Sequence, residues 1–519
     1  MELPGLLQSL FFFLIFLYLL LFFHGRRYSS VQANSIGLTS YPVVGFLPDF
    51  IKNRHRFLDW MTEILILQPT NSLTLQRAGD SDGIITANPM NIEHMLKTNF
   101  ENYPKGKRFA SMLQDFLGHG IFISDGEQWK AQRKTASFEF NTKSLRNFVM
   151  DAVRFEVAER LVPLLERAAG NQKILDLQDI LERFAFDNVC KLAFNEDPGC
   201  LAGDGTSRSG FVHAFDDAAN ISAARFMYAF PIFWKIKKFL NVGSERRLRE
   251  SINTVHGFAT EIIRTRRAKM KKGIKAADED LLSRFMASYS DSGEEVLRDM
   301  IVSFILAGRD TTSSGLSWFF WMLASRPDVE KNILNEIKSV RTLHPNSSGE
   351  TFSIDQLREM HYLHAAISEA MRLYPPVPFD SKECLKDDML PDGTFIRKGW
   401  FISYCSYSMG RMQRLWGPDC LNYKPERWLE KGVFRAESQF KYPVFHAGPR
   451  ICLGKEMAYI QMKSIVACVL ERFEVEVLEK EKRPEFLLSL TLRMKGGLPA
   501  RVRRRSLGDM EIERSLPSE

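Results

Sequence analysis

From Asn91 onward, hydrophobic positions recur every three to four residues. They predict helices over 124–147, 151–169, 177–194, 244–272, 294–325, 328–341, 355–374 and 453–473. Before them, NSLTLQRAG and DGIITANP alternate apolar and polar residues around a Gly/Asp turn, and so read as two short strands. A small mixed segment, 376–411, holds the turn Pro391-Asp392-Gly393, and two short strand candidates follow the last helix. Residues 271–280 read as a charged surface loop and 504–519 as a flexible tail. The pattern gives one mainly α unit with minor β-sheets, without internal repeats.

Two stretches depart from that periodicity. Residues 10–23 are an unbroken apolar run, and the apolar character reaches back to Leu3. Residues 3–23 are 21 in number, and about 20 suffice to cross a bilayer core. Arg26 and Arg27 follow at once, and only Glu2 is charged before the run. The positive-inside rule then puts the rest of the chain in the cytosol. The start is not basic and no A-x-A-like site follows, so residues 1–27 read as a transmembrane signal anchor, not a cleaved secretory signal. Residues 28–50 carry Pro42, Gly45 and Pro48 and read as a hinge. Residues 51–503 form the main domain.

Composition narrows the functional classes. The chain has 519 residues, 45% hydrophobic and 26% charged, ordinary globular values with ample material to enclose a ligand. Length alone allows up to about three domains, but the periodicity does not divide the chain. Net charge is +7 without a basic block interleaved with aromatics, so no nucleic-acid partner is expected. Seven cysteines (190, 200, 384, 405, 420, 452, 468) are scattered, with no CxxC or Cys/His cluster. A disulfide framework or a zinc site is not expected, and the thiols read as reduced.

One cysteine stands apart. FHAGPRICLG, residues 445–454, places Cys452 in a loop with Gly448, Pro449 and Arg450, just before a helix. A helix N-terminus, nearby N–H groups and a cation all favour a thiolate, which suits a metal bound from one side. A buried, inert cysteine is the plain alternative. AGRDTT (307–312) lies inside the apolar stretch 294–325, about 48 Å long if one straight helix. Ala307 and Gly308 are small enough for a flat cofactor and a diatomic ligand to approach the backbone. Asp310 and Thr311 are polar there and need partners. They suit proton transfer to oxygen, or they mark a Ser/Thr kink. EAMR puts Glu369 and Arg372 on one helix face, and PERW adds Arg427 as a third charge; taken alone, this reads as a surface ion pair. WKAQR sets Trp129 and Arg133 one helical turn apart.

These motifs, in this order, resemble the cytochrome P450 monooxygenases over nearly the whole chain. FHAGPRICLG matches F-x-x-G-x-R-x-C-x-G at Phe445, Gly448, Arg450, Cys452 and Gly454, and EAMR matches E-x-x-R. The resemblance implies the P450 fold and a haem b held by the Cys452 thiolate. It assigns Trp129, Arg133 and Arg450 to the haem propionates, and Glu369, Arg372 and Arg427 to a structural network beneath the haem. It gives Asp310 and Thr311 the proton relay. In many relatives the cation after PPVP is an arginine; here Lys382 stands there, without the planar fork. No GxGxxG occurs, so electrons are expected from NADPH through a separate NADPH–cytochrome P450 reductase, with O₂ as co-substrate. Lys130, Arg133 and Lys134 would face an acidic reductase, or solvent. The implied location is the endoplasmic-reticulum membrane, with the catalytic domain in the cytosol.

RLYPPVPFDSK, LPDGTFIRKG and YSMGRM are similar to the plant branch that hydroxylates terminal carbons of aliphatic chains: fatty acids, jasmonoyl–amino acid conjugates and sterol side chains. The expected substrate is a lipid chain, a fatty acid or a sterol side-chain methyl, with a jasmonoyl conjugate as the alternative. A narrow apolar pocket is expected, with Phe109, Met112, the segment 226–233, Phe304, Ala307 and Phe379 as walls. Residues 224–240, aromatic and then basic, would touch the membrane surface or pack as a core helix pair. A haem-thiolate isomerase or dehydratase would share the cysteine loop without needing the relay, and a haem carrier would need no reductase.

Overall fold

The helical periodicity becomes a set of helices packed around one long, interrupted central helix. The computed structural model describes Tyr18 and residues 46–505, except 76–81, 141–142, 203–209, 229, 273–280, 290–292 and 346–350. The apolar run 3–23 apart from Tyr18, most of the hinge, most of the charged loop and residues 506–519 lie outside the described residues. Among the described residues no helix is long and apolar enough to cross a membrane.

The helices that position the site are α1 (Leu47–Asn53), α2 (Phe57–Leu67), α3 (Gly106–Leu117), α4 (Gly126–Phe140), α5 (Leu177–Phe194), α6 (Gly210–Ala224), α7 (Gly243–Lys271), α8 (Glu294–Ile305), α9 (Thr311–Leu323), α10 (His361–Leu373) and α11 (Lys455–Arg472). α1 begins inside the expected hinge and runs past its end at residue 50. Pro48 sits in its first turn, where a missing N–H breaks no helical bond. The expected helix 355–374 divides at Met360. Its first part, Ile354–Glu359, starts on a capping box in which Ser353 and Gln356 each satisfy the other's backbone N–H.

The stretch 294–325 is not one straight helix. A π-helical turn, Leu306–Asp310, separates α8 from α9. Thr311 Oγ1 donates to Ala307 O at 2.6 Å, and Ser313 Oγ to Arg309 O at 2.7 Å. Such back-bonding loosens the helical ladder, and π turns of this kind gather at functional sites.

The longer strands are β1 (Ser72–Leu75), β2 (Gly83–Thr86), β3 (Ile174–Asp176), β4 (Asp380–Glu383), β5 (Phe401–Tyr404), β6 (Phe473–Val477), β7 (Phe486–Leu488), β8 (Leu492–Met494) and β9 (Pro499–Arg504). β1 and β2 are the two strands expected first, paired antiparallel with Ser72 opposite Thr86. They extend into the sheet β1-β2-β5-β4, with β2 parallel to β5 and β5 antiparallel to β4. The chain ends on four strands, not two, with β6 and β9 joined to β3 and β7 paired with β8. β9 runs to Arg504, and Arg505 pairs with Glu330 at 2.6 Å, so chain order persists into the start of the expected tail.

Two apolar cores meet at the site. One gathers around α9, α10 and α11 with the first sheet; the other is built by α3 and α5–α8. Gly308 belongs to the helix contact, not to a cofactor face. A Cβ there would stand 2.5 Å from Val189 Cγ2, so glycine is what lets the π turn lie against α5.

Candidate functional site

The loop before α11 is fixed by close approaches. Gly448 has φ +65°, and a Cβ on it would stand 1.9 Å from Leu96 O, so no larger residue fits. Cys452 N donates to Phe445 O at 2.8 Å, which closes the loop, and the Phe445 ring packs 5.4 Å from that of Tyr459. α11 begins at Lys455 behind Gly454, so Cys452 lies just ahead of a helix N-terminus. Its side chain is accessible yet closely surrounded by protein, which places it on the wall of an internal cleft. That enclosure raises the thiol pKa, while the Gly454 N–H, Arg133 and Lys455 pull it down.

Cations converge beside this loop. Trp129 and Arg133 both stand on α4. The Arg450 guanidinium lies 4.3 Å over the Trp129 ring, and Arg133 Nη2 donates to Ile451 O. Arg450 Nη2 donates to Asp125 Oδ1 at 2.6 Å and to Ser124 O at 2.9 Å. Its Nε and Nη1 are buried and have no hydrogen-bond partner. Such donors call for an anionic group, as haem carboxylates would be; together with the cysteine sulfur they fit a haem. Lys382 is occupied differently from an arginine fork: its Nζ lies 3.0 Å from Asp380 Oδ2, and Lys105 bonds the same carboxylate. His446, whose ring also contacts Tyr404 OH, completes the group around Asp380. Burial lowers the His446 pKa to about 4, against the pull of Asp380.

Glu369 and Arg372 are not a surface pair. Both are fully buried. Glu369 Oε2 and Oε1 accept from Arg372 Nε and Nη2 at 2.7 and 2.8 Å. Arg427 Nε reaches Oε1 at 2.7 Å. Two further donors that motif reading does not reveal complete the cage: Trp428 Nε1 at 2.9 Å and the Lys424 backbone N–H at 3.0 Å.

A second buried network, apart from its member Asp310, escaped sequence reasoning. Arg309 inside AGRDTT is 1% exposed and reaches Asp216 on α6 at 2.7 Å, Glu182 on α5 at 3.4 Å and Asp310 at 3.0 Å. Arg493 on β8 binds Glu182 at 2.6 Å and Asp216 at 3.1 Å. Five charges from distant parts of the chain thus converge behind the π turn, and no local pattern announces that. Burial pushes Asp310 above the usual carboxylate range. It raises Glu182 from 4.5 to about 7, against the pull of Arg309 and Arg493. A raised carboxyl pKa means the folded state keeps a proton that the unfolded chain releases. Stability through this group therefore falls as pH rises from about 4.5 to about 7. Glu182→Gln is expected to flatten that slope by on the order of 1–3 kcal/mol in urea unfolding. Equal slopes in both proteins would contradict this.

An apolar cavity of about 340 Å³ opens where the two cores meet, within the range of small-molecule sites. Thr311, Ala307, Phe109, Phe379, Phe226 and Phe230 line it. Met112 and Phe304 do not: the Met112 carbonyl accepts from Arg225, and the Phe304 ring packs 6.0 Å from Phe140 and 5.6 Å from Phe285 in the α3–α8 core. Asp310 also stays off the wall, turned toward Arg309. The wall gains residues of α1 and α2, Phe50 and Met61 among them, because the α1 stretch is helical.

Residues 37–498 match the sequence profile described as cytochrome P450. Cytochrome P450 CYP94D108 of Paris polyphylla is 53% identical over 89% of this chain and 91% of its own length. Cytochrome P450 94A1 of Vicia sativa is 46% identical over 90% of both chains. Cytochrome P450 94B1 of Arabidopsis thaliana is 46% identical over 98% of this chain and 99% of its own. A match of that extent, over a fold that brings the cysteine loop, the cations and the cavity wall together, leaves one conclusion: the chain belongs to the cytochrome P450 family, in its CYP94 group, and is a monooxygenase of the kind that uses a haem with a cysteine thiolate, O₂ and NADPH electrons passed through a reductase.

Proposed function

We propose that this enzyme hydroxylates the terminal carbon of a long-chain fatty acid. One oxygen atom enters the C–H bond and the other leaves as water, with two electrons from NADPH. The observation that carries the reading is the apolar cavity whose wall includes Thr311 and Ala307. Such a cavity gives an aliphatic chain apolar surroundings, and end-on entry would present the terminal methyl to the reacting centre. The similarity to the plant branch of terminal hydroxylases points the same way.

In this reading a haem, when bound, activates O₂ and supplies the oxidising power. Cys452 Sγ is its protein ligand, with the Gly454 N–H and the neighbouring cations favouring the ionised sulfur. The two unpartnered donors of Arg450 hold propionate, beside Trp129 and Arg133. Thr311 Oγ1, now bonded to the Ala307 carbonyl, turns its proton into the cavity. Asp310 and the Glu182–Asp216–Arg309–Arg493 network behind it hold the protons that resupply it.

The same reading places the protein on the cytosolic face of the endoplasmic reticulum, through the apolar run 3–23. The helix Ile232–Leu240 would rest on the membrane surface, because Phe233 and Phe239 are 55% and 88% exposed and Lys235, Lys237 and Lys238 stand among them.

Expression in microsomes with a reductase tests the function. Incubation with a long-chain fatty acid, a jasmonoyl conjugate and a sterol is expected to give a terminally hydroxylated fatty acid. Product from either of the others alone would reassign the substrate. Thr311→Ala is expected to keep the haem yet divert most NADPH consumption away from product, by roughly tenfold or more. Unchanged coupling would remove Thr311 from the relay and favour isomerase-type chemistry.

A further inference from the structure

The turn that joins β7 to β8 gives three consecutive residues to the cavity wall, Ser489, Leu490 and Thr491. Thr491 is 3% exposed, and its Oγ1 is buried with no hydrogen-bond partner among the described residues. A hydroxyl withdrawn from water and left unpaired is unfavourable. A valine of the same shape would fill the place without that cost, so a threonine here calls for a partner from outside the chain.

Bonds to the next residue fix where the turn stands. Leu492 donates its N–H to Pro376 O at 2.8 Å. Its carbonyl accepts from Ser314 Oγ at 2.7 Å and from Trp318 Nε1 at 2.8 Å. Ser314 follows Thr311 by three residues on α9, and so shares its helical face. Val377, Pro378 and Phe379, directly after Pro376, also line the cavity. The turn is thus tied to the helix one turn beyond Thr311, the part of the wall where the reading above puts the terminal carbon. Rotation about a single bond, Cα–Cβ, moves the Thr491 hydroxyl between staggered positions, which lets it meet an oxygen atom that arrives in the cavity.

We infer that Thr491 holds the hydroxyl that the first turnover puts on the terminal carbon, and so keeps the alcohol in place for a second oxidation. This rests on the fatty-acid reading above. Walls that are otherwise apolar disfavour a new alcohol, and one hydroxyl partner offsets that loss for both groups at once. In the second turnover one oxygen atom of O₂ enters a C–H bond of the carbon that already bears the hydroxyl. The other oxygen leaves as water, with two electrons from NADPH and two protons. The resulting gem-diol loses water and gives the aldehyde.

The test is binding of dodecanoate and of 12-hydroxydodecanoate to the full-length haem protein, followed by the substrate-induced absorbance shift and by displacement of labelled dodecanoate. Thr491→Val is expected to weaken 12-hydroxydodecanoate roughly tenfold and to leave dodecanoate within about twofold. Thr491→Ser, which keeps the hydroxyl, is expected to bind both as wild type does. With dodecanoate as substrate, Thr491→Val is expected to release mostly the alcohol, where wild type carries it on to the aldehyde. The valine variant is also expected to melt no lower than wild type, since the hydroxyl it loses has no partner in the fold. Equal weakening of both ligands, no weakening of either, or a valine variant that melts well below wild type would overturn the inference. If wild-type protein bound neither ligand, the fatty-acid reading itself would fail, and this inference with it.

Discussion

Glu369→Gln is expected to abolish recovery of folded, haem-loaded protein. The carboxylate is fully buried and accepts from Arg372 through both oxygens, and from Arg427, Trp428 and the Lys424 backbone. An amide of the same shape has one acceptor oxygen and turns two N–H donors toward donors already there. Two guanidinium groups, 0% and 10% exposed, then lose the Glu369 carboxylate, though Arg427 keeps Asp419 at 3.4 Å. Breaking a buried ion pair in this way costs about 3–5 kcal/mol, against a total stability of about 5–15 kcal/mol for a folded protein. The same motif on a surface would be worth under about 1 kcal/mol, so burial decides the size of the effect. Arg372 spans further, donating to the carbonyls of Gly410, Cys420 and Asn422, so the carboxylate also holds the chain that leads to the cysteine loop. Thermal unfolding and haem content per protein check the prediction. A variant that melted within a few degrees of wild type with full haem would contradict it.

Much of the architecture was legible because it is local. α5 and α7 follow their hydrophobic spacing to within a residue, and β1 and β2 fall in the two segments that read as short strands. α3 is also local. Phe109, Met112, Leu113, Phe116 and Leu117 form an i, i+3, i+4, i+7, i+8 stripe, but the polar start and the bracketing Gly106 and Gly118 disguise it. α6, rich in alanine, gives a weaker stripe. The π turn was legible only as an ambiguity: Asp310 and Thr311 within an apolar run announce either a kink or a reactive pair, and the structure has both the break and a cavity-lining threonine.

The site followed the same division. Cys452, Gly448 and the i,i+3 pair Glu369–Arg372 sit in short motifs, so local spacing found them. Arg309, Glu182, Asp216 and Arg493 are 309, 182, 216 and 493 in a chain whose folding alone brings them together. Phe304 and Met112 looked like wall residues by type and position on α8 and α3. Both pack instead in the core of α3 and α5–α8, Phe304 between the rings of Phe140 and Phe285. Lys382 was uncertain for a good physical reason, since its partner Asp380 is two residues away on the same strand and a lysine bonds as a point charge.

In the proposed function a negatively charged sulfur at position 452 would bind the iron. The Gly448 approach shapes the loop that carries it, and the two unpartnered Arg450 donors are buried beside that loop. Cys452→Ala removes the sulfur and its contact with the Gly454 N–H but keeps the backbone bond to Phe445 that closes the loop. The fold is therefore expected to survive while product formation falls to background, at least about a thousandfold. The most direct measurement is the carbon monoxide difference spectrum of the reduced full-length protein. Wild type is expected to show the thiolate-type band and Cys452→Ala to lack it; a thiolate-type band persisting in the alanine variant would contradict the account.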